Sequence, residues 1–150
     1  MTKKTTEMEE LEALRKMIKD HDYSAALTLI DEMDEMGQKA IRNQIYSSIK
    51  ILLLHLMKQQ AEERTTQSWD LSIANAIDQI NATNARNNAR SRYIAEDELS
   101  ELIEKAYAIA LKNASAEAFG GALSEKEFAK HLDPTRVKKE ALDLILNYES

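Results

Sequence analysis

The sequence contains no cysteine, a single proline and only three glycines among its 150 residues. Without cysteine the chain can form no disulfide and carry out no thiolate chemistry. No residue of the chain therefore requires an oxidising compartment. The scarcity of glycine and proline leaves almost no material for tight hairpin turns, whereas alanine, leucine, glutamate and lysine, which favour helices, are abundant. The composition therefore predicts an all-α protein.

Signatures of several common classes of protein are also missing. There is no glycine-rich phosphate loop and no Gly-x-Ser-x-Gly elbow, so two frequent enzyme motifs are absent. The longest apolar stretch, residues 49–57, is interrupted by Lys50 and His55 and is shorter than the roughly 18 residues of a membrane-spanning helix. The opening segment carries Glu7 and Glu9, where signal and transit peptides avoid acids. A cytoplasmic protein with no membrane span is expected.

The excess of acidic over basic residues limits the kinds of partner that the chain can bind. A net charge of −6 repels phosphate groups, so general binding to nucleic acids or to anionic membranes is disfavoured. The segment from Arg86 to Tyr93 has the arginine, asparagine and tyrosine content of a loop that contacts RNA. A solvated loop is favoured there because the chain as a whole is acidic, and RNA contact remains an alternative.

Apolar residues recur at helical spacing through the first half of the sequence. Thr6 and Glu9 form a capping box that opens the first predicted helix. A second helix is predicted over about residues 23–36, because Gly37 is suited to the left-handed position that ends a helix. The third, over about residues 38–62, is apolar on all faces for two turns, which predicts that other helices surround it.

Capping residues mark the helices of the second half. Ser68 is suited to cap a fourth helix, and a fifth is predicted over about residues 96–114. The glycines at 120–121 break the pattern, and the two helices that follow are capped by Ser124 and Asp133.

Together these elements predict a single domain over residues 1–150. We expect an all-α bundle of five to seven helices with a central, buried third helix. The last two helices, over about residues 122–148, are expected to be appended to this core.

The histidines offer one candidate for chemistry. His55 borders the apolar stripe of the third predicted helix, where a histidine is most often satisfied by a backbone carbonyl or a carboxylate. His21, His55 and His131 lie far apart in the sequence, and no Glu-x-x-His pair is present. Metal ligation is therefore disfavoured, and no metal or cofactor is expected.

All six methionines lie in the first 60 residues, and apart from Met1 they are Met8, Met17, Met33, Met36 and Met57. Flexible thioethers fill irregular gaps in cores, and they also line adaptable grooves for partner helices. Core filling is favoured, and a groove for a partner helix is the alternative.

Three phrases together resemble a known family. They are LIDEMDEMG (residues 29–37), ILLLHLMKQQ (51–60) and ERTTQSWDLSI (63–73). In order and spacing they are similar to the all-helical family called domain of unknown function twenty-nine, which is common in cyanobacteria, and the resemblance covers about residues 22–114. It implies a helical fold and a recurrent polar cluster at Glu32, Glu35, His55, Lys58, Arg64, Ser68 and Trp69. The family implies no reaction, and a structural ion network is favoured over a working site for this cluster.

The sequence favours a cytoplasmic, non-enzymatic protein-interaction module, because the surface is acidic, the first half is rich in methionine and catalytic signatures are missing. The partner would be another protein, and the oligomeric state is left open. The alternative is a small ligand-binding protein or enzyme that uses the Glu/His/Lys/Arg cluster between helices. RNA contact through the segment from Arg86 to Tyr93 is a further alternative.

Overall fold

The computed structural model describes the backbone of residues 3–85 and 92–148, and the side chains of these residues from residue 8 onward. The described residues form six α-helices and one 3₁₀ turn, and they contain no strand. These are α1 (Lys3–Lys19), α2 (Tyr23–Glu62), α3 (Gln67–Asn84), α4 (Glu96–Glu117), the 3₁₀ turn (Ala118–Gly121), α5 (Glu125–Ala129) and α6 (Pro134–Leu146). The predicted all-α class is confirmed. The chain divides into two compact units, Met1–Ala40 and Ile41–Ser150.

The first unit is a pair of helices joined by a short turn. Helix α1 begins at Lys3 and already contains Thr6, so the predicted cap at Thr6 is wrong. The helix is followed by a turn at His21, which has a left-handed φ of 60°. The backbone N–H of Asp22 donates to the carbonyl of Met17 and that of His21 to the carbonyl of Ile18, the bonding pattern of a Schellman motif. The side chain of Asp22 then accepts a hydrogen bond from the N–H of Ala25 at 3.2 Å and caps α2.

Helix α2 continues through Gly37, so the prediction that a helix ends there is wrong. The second and third predicted helices are one helix of 40 residues. A glycine inside a helix costs only about 0.5–1 kcal/mol relative to alanine, and the good helix formers on both sides of Gly37 outweigh that cost.

The core of the second unit is built around the C-terminal half of α2, which confirms the predicted central helix. Six of its apolar side chains are at most 3% exposed: Ile45, Ile49, Leu52, Leu53, Leu56 and Met57. Every later helix contributes buried apolar residues to the same cluster, for example Ile80, Ile103, Phe128 and Val137. The two C-terminal helices thus belong to the core of this unit.

The cap of α3 is Thr66, and the prediction of Ser68 is wrong. The Thr66 hydroxyl accepts a hydrogen bond from the backbone N–H of Trp69 at 3.1 Å, and Ser68 lies inside the helix. Both residues fit the chemistry of a cap, but only Thr66 has the extended backbone that a cap needs.

Helix α3 ends in polar residues that find hydrogen-bond partners although they are buried. The amide of Asn81 donates to the carbonyls of Ile77 and Ile145, at 3.1 and 3.2 Å. Asn84 both donates to the carbonyl and accepts from the N–H of Ile94, at 3.0 and 2.7 Å. Buried amides that find hydrogen-bond partners in this way do not oppose a helix.

The predicted starts of the last two helices are confirmed. Ser124 accepts from the N–H of Glu127 while the Glu127 carboxylate accepts from the N–H of Ser124, which is a capping box. Asp133 caps α6 ahead of Pro134. Among the helices of residues 3–85 and 92–148, none is both long enough and apolar enough to cross a bilayer.

The continuity of α2 can be tested at Gly37. Beyond the adjacent residues and the backbone of the surrounding helical turns, no atom lies within 4 Å of the position that a Cβ would take there, and the backbone is helical. We expect Gly37→Ala to stabilise the helix by about 0.5–1 kcal/mol, measured by urea unfolding followed by far-ultraviolet circular dichroism.

Gly121→Ala is the matched control for this experiment. Gly121 has a φ of +78°, and a Cβ there would lie 2.9 Å from the carbonyl oxygen of Ala116. That substitution should cost about 1–3 kcal/mol. A destabilising effect of Gly37→Ala would contradict the continuous helix and favour a chain reversal at Gly37.

Candidate functional site

Charged side chains gather near the single tryptophan where three helices of the second unit, α2, α3 and α4, meet. The C-terminal end of α2, the segment that joins it to α3, the start of α3 and the end of α4 all contribute. We call this set the Trp69 cluster, and it consists of Trp69, Lys58, Glu62, Arg64 and Glu117.

Lys58 connects the three helices of this junction. Its side chain is only 8% exposed, and its Nζ lies 3.2 Å from Oε1 of Glu117 on α4. The same ammonium lies 4.7 Å from the centre of the Trp69 ring on α3. A buried ammonium needs such partners, because an unpaired charge in the interior is strongly destabilising.

Arg64 places a second cation on the same ring. The chain turns at Glu63, which has a left-handed φ of 54°, and Cζ of Arg64 then lies 4.7 Å from the ring centre of Trp69. Arg64 donates to Oε1 of Glu62 at 3.0 Å, and the other oxygen of Glu62 accepts from the backbone N–H of Phe119 at 3.4 Å. Two cations thus lie against the indole, and each has its own carboxylate partner. All four charges are paired, as in a structural ion network.

A second polar group supports the start of α3. The Thr65 hydroxyl donates to Oδ1 of Asp70 at 2.7 Å, and the Gln59 amide donates to both Thr65 and Asp70, at 2.8 and 3.2 Å. These bonds hold the connection between α2 and α3, and with it the positions of Arg64 and Trp69.

His55 is the exception to this pattern of paired groups. Its Nδ1 is the one buried side-chain nitrogen or oxygen of the described residues that has no hydrogen-bond partner. The prediction that His55 borders the core is confirmed, since the residue is half-buried, but the expectation that its ring nitrogens are satisfied is wrong for Nδ1. An orphaned buried polar atom calls for a physical explanation.

Burial and a neighbouring cation favour the neutral form of the His55 ring. Burial lowers the pKa of His55 below its ordinary value of 6.5, the nearby Lys58 ammonium lowers it further, and the Glu117 carboxylate opposes both effects. The folded protein disfavours the protonated ring, so protonation of His55 lowers the free energy of unfolding. The contribution of His55 to stability is therefore fully present above pH 6.5 and is lost as the pH falls through the lowered pKa.

The predicted polar cluster is distributed over both units. Lys58 and Arg64 both contact the ring of Trp69, and the charge of Lys58 lowers the pKa of His55. Ser68 is exposed on α3. Glu32 and Glu35 are exposed on the part of α2 that belongs to the first unit. A site that unites all seven residues stays a prediction.

Two acids of the Trp69 cluster were not predicted from the sequence. Glu117 is 59 positions away from Lys58, and no local pattern connects them. Glu62 lies only two residues before Arg64, so the short spacing of an acid and an arginine beside a tryptophan is a signal that could have identified it.

Two other predicted kinds of site can be compared with the described residues. Within them, no group of three or more His, Asp or Glu side chains is placed to hold a metal ion. Arg92 and Tyr93 of the predicted RNA-contacting segment are exposed, whereas residues 86–91 lie outside the described residues. RNA contact therefore stays a prediction.

The charges around His55 can be tested by titrating its ring by NMR. We expect Lys58→Met to raise the pKa of His55, because it removes a repulsive cation, and Glu117→Gln to lower it, because it removes an attractive anion. His55→Gln assigns the signal. Lys112→Met, which changes an exposed lysine of α4, should leave the titration unchanged, and shifts of the same sign in both cluster variants would contradict the geometry.

The comparisons with known proteins extend the resemblance in the sequence. Searches of curated proteins and of solved structures found no match. The family model described as Domain of unknown function DUF29 matches residues 8–143, a longer stretch than the three phrases cover. That match includes α2, the Trp69 cluster and most of α6. On this evidence the chain belongs to the DUF29 family.

Proposed function

We propose that this protein is a cytoplasmic, non-enzymatic protein-interaction module whose docking face lies on its first unit. The observation that carries the proposal is how little this unit buries. Among residues 8–40, whose exposure the structure describes, only Ala26 is buried.

A pair of helices with one buried alanine has little to hold it together. Ordering each residue costs about 1–2 kcal/mol of backbone entropy, and in folded proteins the burial of apolar surface offsets this cost. The compensating apolar surface is present but exposed, at Met8, Leu11, Ile18, Tyr23, Leu27, Ile30 and Met36. A partner that covers these side chains would supply the missing burial.

The charges beside these residues indicate the chemistry of the partner. Leu27 and Ile30, which are 62% and 44% exposed, lie one helical turn before Asp31 and Asp34. We call these four residues, all exposed on α2, the acidic face. A surface that combines apolar side chains with lysine or arginine is complementary to it, as in the binding of amphipathic helices to grooves.

The methionines of the first unit fit the same role. Met36 is 57% exposed and Met8 is 55% exposed, whereas Met57 is fully buried in the second unit. Core filling, which the sequence favoured, therefore describes Met57 but not the two exposed residues. Their unbranched side chains can adapt to the shape of a partner.

A small-ligand site beside His55 is a second candidate function. It is supported by the unpartnered Nδ1 and by the buried Lys58 ammonium, which uses one N–H for Glu117. A ligand that donates a hydrogen bond to the neutral ring and accepts one from Lys58 would match this pair. The proposal ranks second because the cations around Trp69 already have carboxylate partners.

The acidic face can be tested with a basic amphipathic peptide of about 20 residues, built from leucine and lysine at helical spacing. Calorimetry should detect binding to the full chain, and Leu27→Ser with Ile30→Ser should weaken it about tenfold or more, because two anchors lose their apolar surface.

Two controls accompany the peptide experiment. Leu71→Ser removes a leucine that is 56% exposed on α3 in the second unit, and it should leave the affinity unchanged. A peptide of the same composition in scrambled order should bind weakly. Equal effects of the Leu71 and Leu27/Ile30 variants, or no binding at all, would refute the proposed docking face.

A further inference from the structure

Two lysines of the second unit lie beside one tyrosine ring. Nζ of Lys50 lies 5.1 Å from the ring centre of Tyr46, and Nζ of Lys105 lies 5.6 Å from the same centre. Among the described ion pairs, neither ammonium has a carboxylate partner. Two like charges thus converge on one ring in a chain whose net charge is −6.

A neighbouring arginine does have a carboxylate partner. Arg42 lies one turn before Tyr46 on α2, and its Nε donates to Oε2 of Glu98 at 3.2 Å. Lys50 and Lys105 take part in none of the described ion pairs. Both ammonium groups are therefore open to an anionic group from outside.

An exposed apolar residue completes this surface. Ile109 lies one turn after Lys105 on α4 and is 39% exposed. We call Tyr46, Lys50, Lys105 and Ile109 the Tyr46 surface. It combines two cations with an aromatic ring and an aliphatic side chain, which is the chemistry that the acidic face requires of its partner.

We propose that the acidic face of one copy of this chain docks on the Tyr46 surface of a second copy. This inference rests on the proposed function and names a partner for the same face. Asp31 and Asp34 are neighbours on one helical ridge, about 5–6 Å apart between Cβ atoms, so both carboxylates can face the same pair of ammonium groups. Leu27 and Ile30 would then pack against Tyr46 and Ile109.

The charges make this contact sensitive to salt. Exposed ion pairs are individually weak and are screened within about 8–10 Å at physiological ionic strength. Self-association should therefore be strongest at low salt. Because the contact joins two different surfaces, it produces either a closed ring of copies or an open chain.

Sedimentation velocity of the full chain, at rising concentration and at low and high salt, tests the proposal. Wild-type protein should associate at low salt, and the association should weaken at high salt. Lys50→Glu with Lys105→Glu should weaken it about tenfold or more, and Asp31→Lys with Asp34→Lys should do the same. An equimolar mixture of the two double variants should recover association, because the reversed charges again face their opposites.

Lys130→Glu with Lys139→Glu is the matched control, since it reverses two exposed lysines outside the Tyr46 surface and should leave association intact. Circular dichroism confirms that each variant is folded. A wild-type chain that stays monomeric at low salt, or association that survives the Lys50/Lys105 reversal, overturns the inference. It is also overturned if the mixed variants fail to associate.

The basic peptide distinguishes this failure from failure of the proposed function. If the chain is monomeric but the peptide still binds in a manner that depends on Leu27 and Ile30, the docking face stands and the partner is a different protein. If the peptide does not bind either, both proposals fail. If the Lys50/Lys105 variant binds the peptide with wild-type affinity but no longer self-associates, both proposals are supported.

Discussion

Burial of the C-terminal half of α2 is the constraint on which the second unit depends. Each of its fully buried leucine, isoleucine and methionine side chains contributes about 1.5–3 kcal/mol relative to exposure in water. Leu52 and Met57 are both completely buried and point about 140° apart around the helix, so helices from more than one direction must cover them. The same packing brings the end of α2 beside the start of α3 and the end of α4. The Trp69 cluster lies where they meet.

The cluster shows how polar groups are accommodated at the edge of such a core. Lys58 gains a carboxylate and an aromatic ring, and Arg64 gains the same two kinds of partner. Each ion pair leaves one partner about half exposed to water and therefore contributes little net stability, but together these contacts join α2, α3 and α4. His55 lies at the margin of this network and stays neutral, with one ring nitrogen unpaired.

Local signals in the sequence predicted a large part of this fold. Ser124 and Asp133 were identified as caps because a cap depends on residues within one turn. Gly37 was ambiguous, since glycine fits both a helix interior and a left-handed terminus, and the choice depends on the neighbouring residues. The pairing of Lys58 with Glu117 depends on how α2 and α4 pack, which no spacing along the chain encodes. The exposed apolar side chains of the first unit could not be separated from core residues by periodicity, because both occupy the same helical positions.

The position of the only tryptophan determines what fluorescence can report about this protein. Trp69 belongs to the second unit, between two cations, and the first unit has no tryptophan. Emission from the indole therefore reports the unfolding of the junction of α2, α3 and α4 and does not report that of the N-terminal helix pair. Circular dichroism reports the loss of helix in both units. Denaturation curves from the two probes that do not coincide would reveal that the helix pair melts on its own.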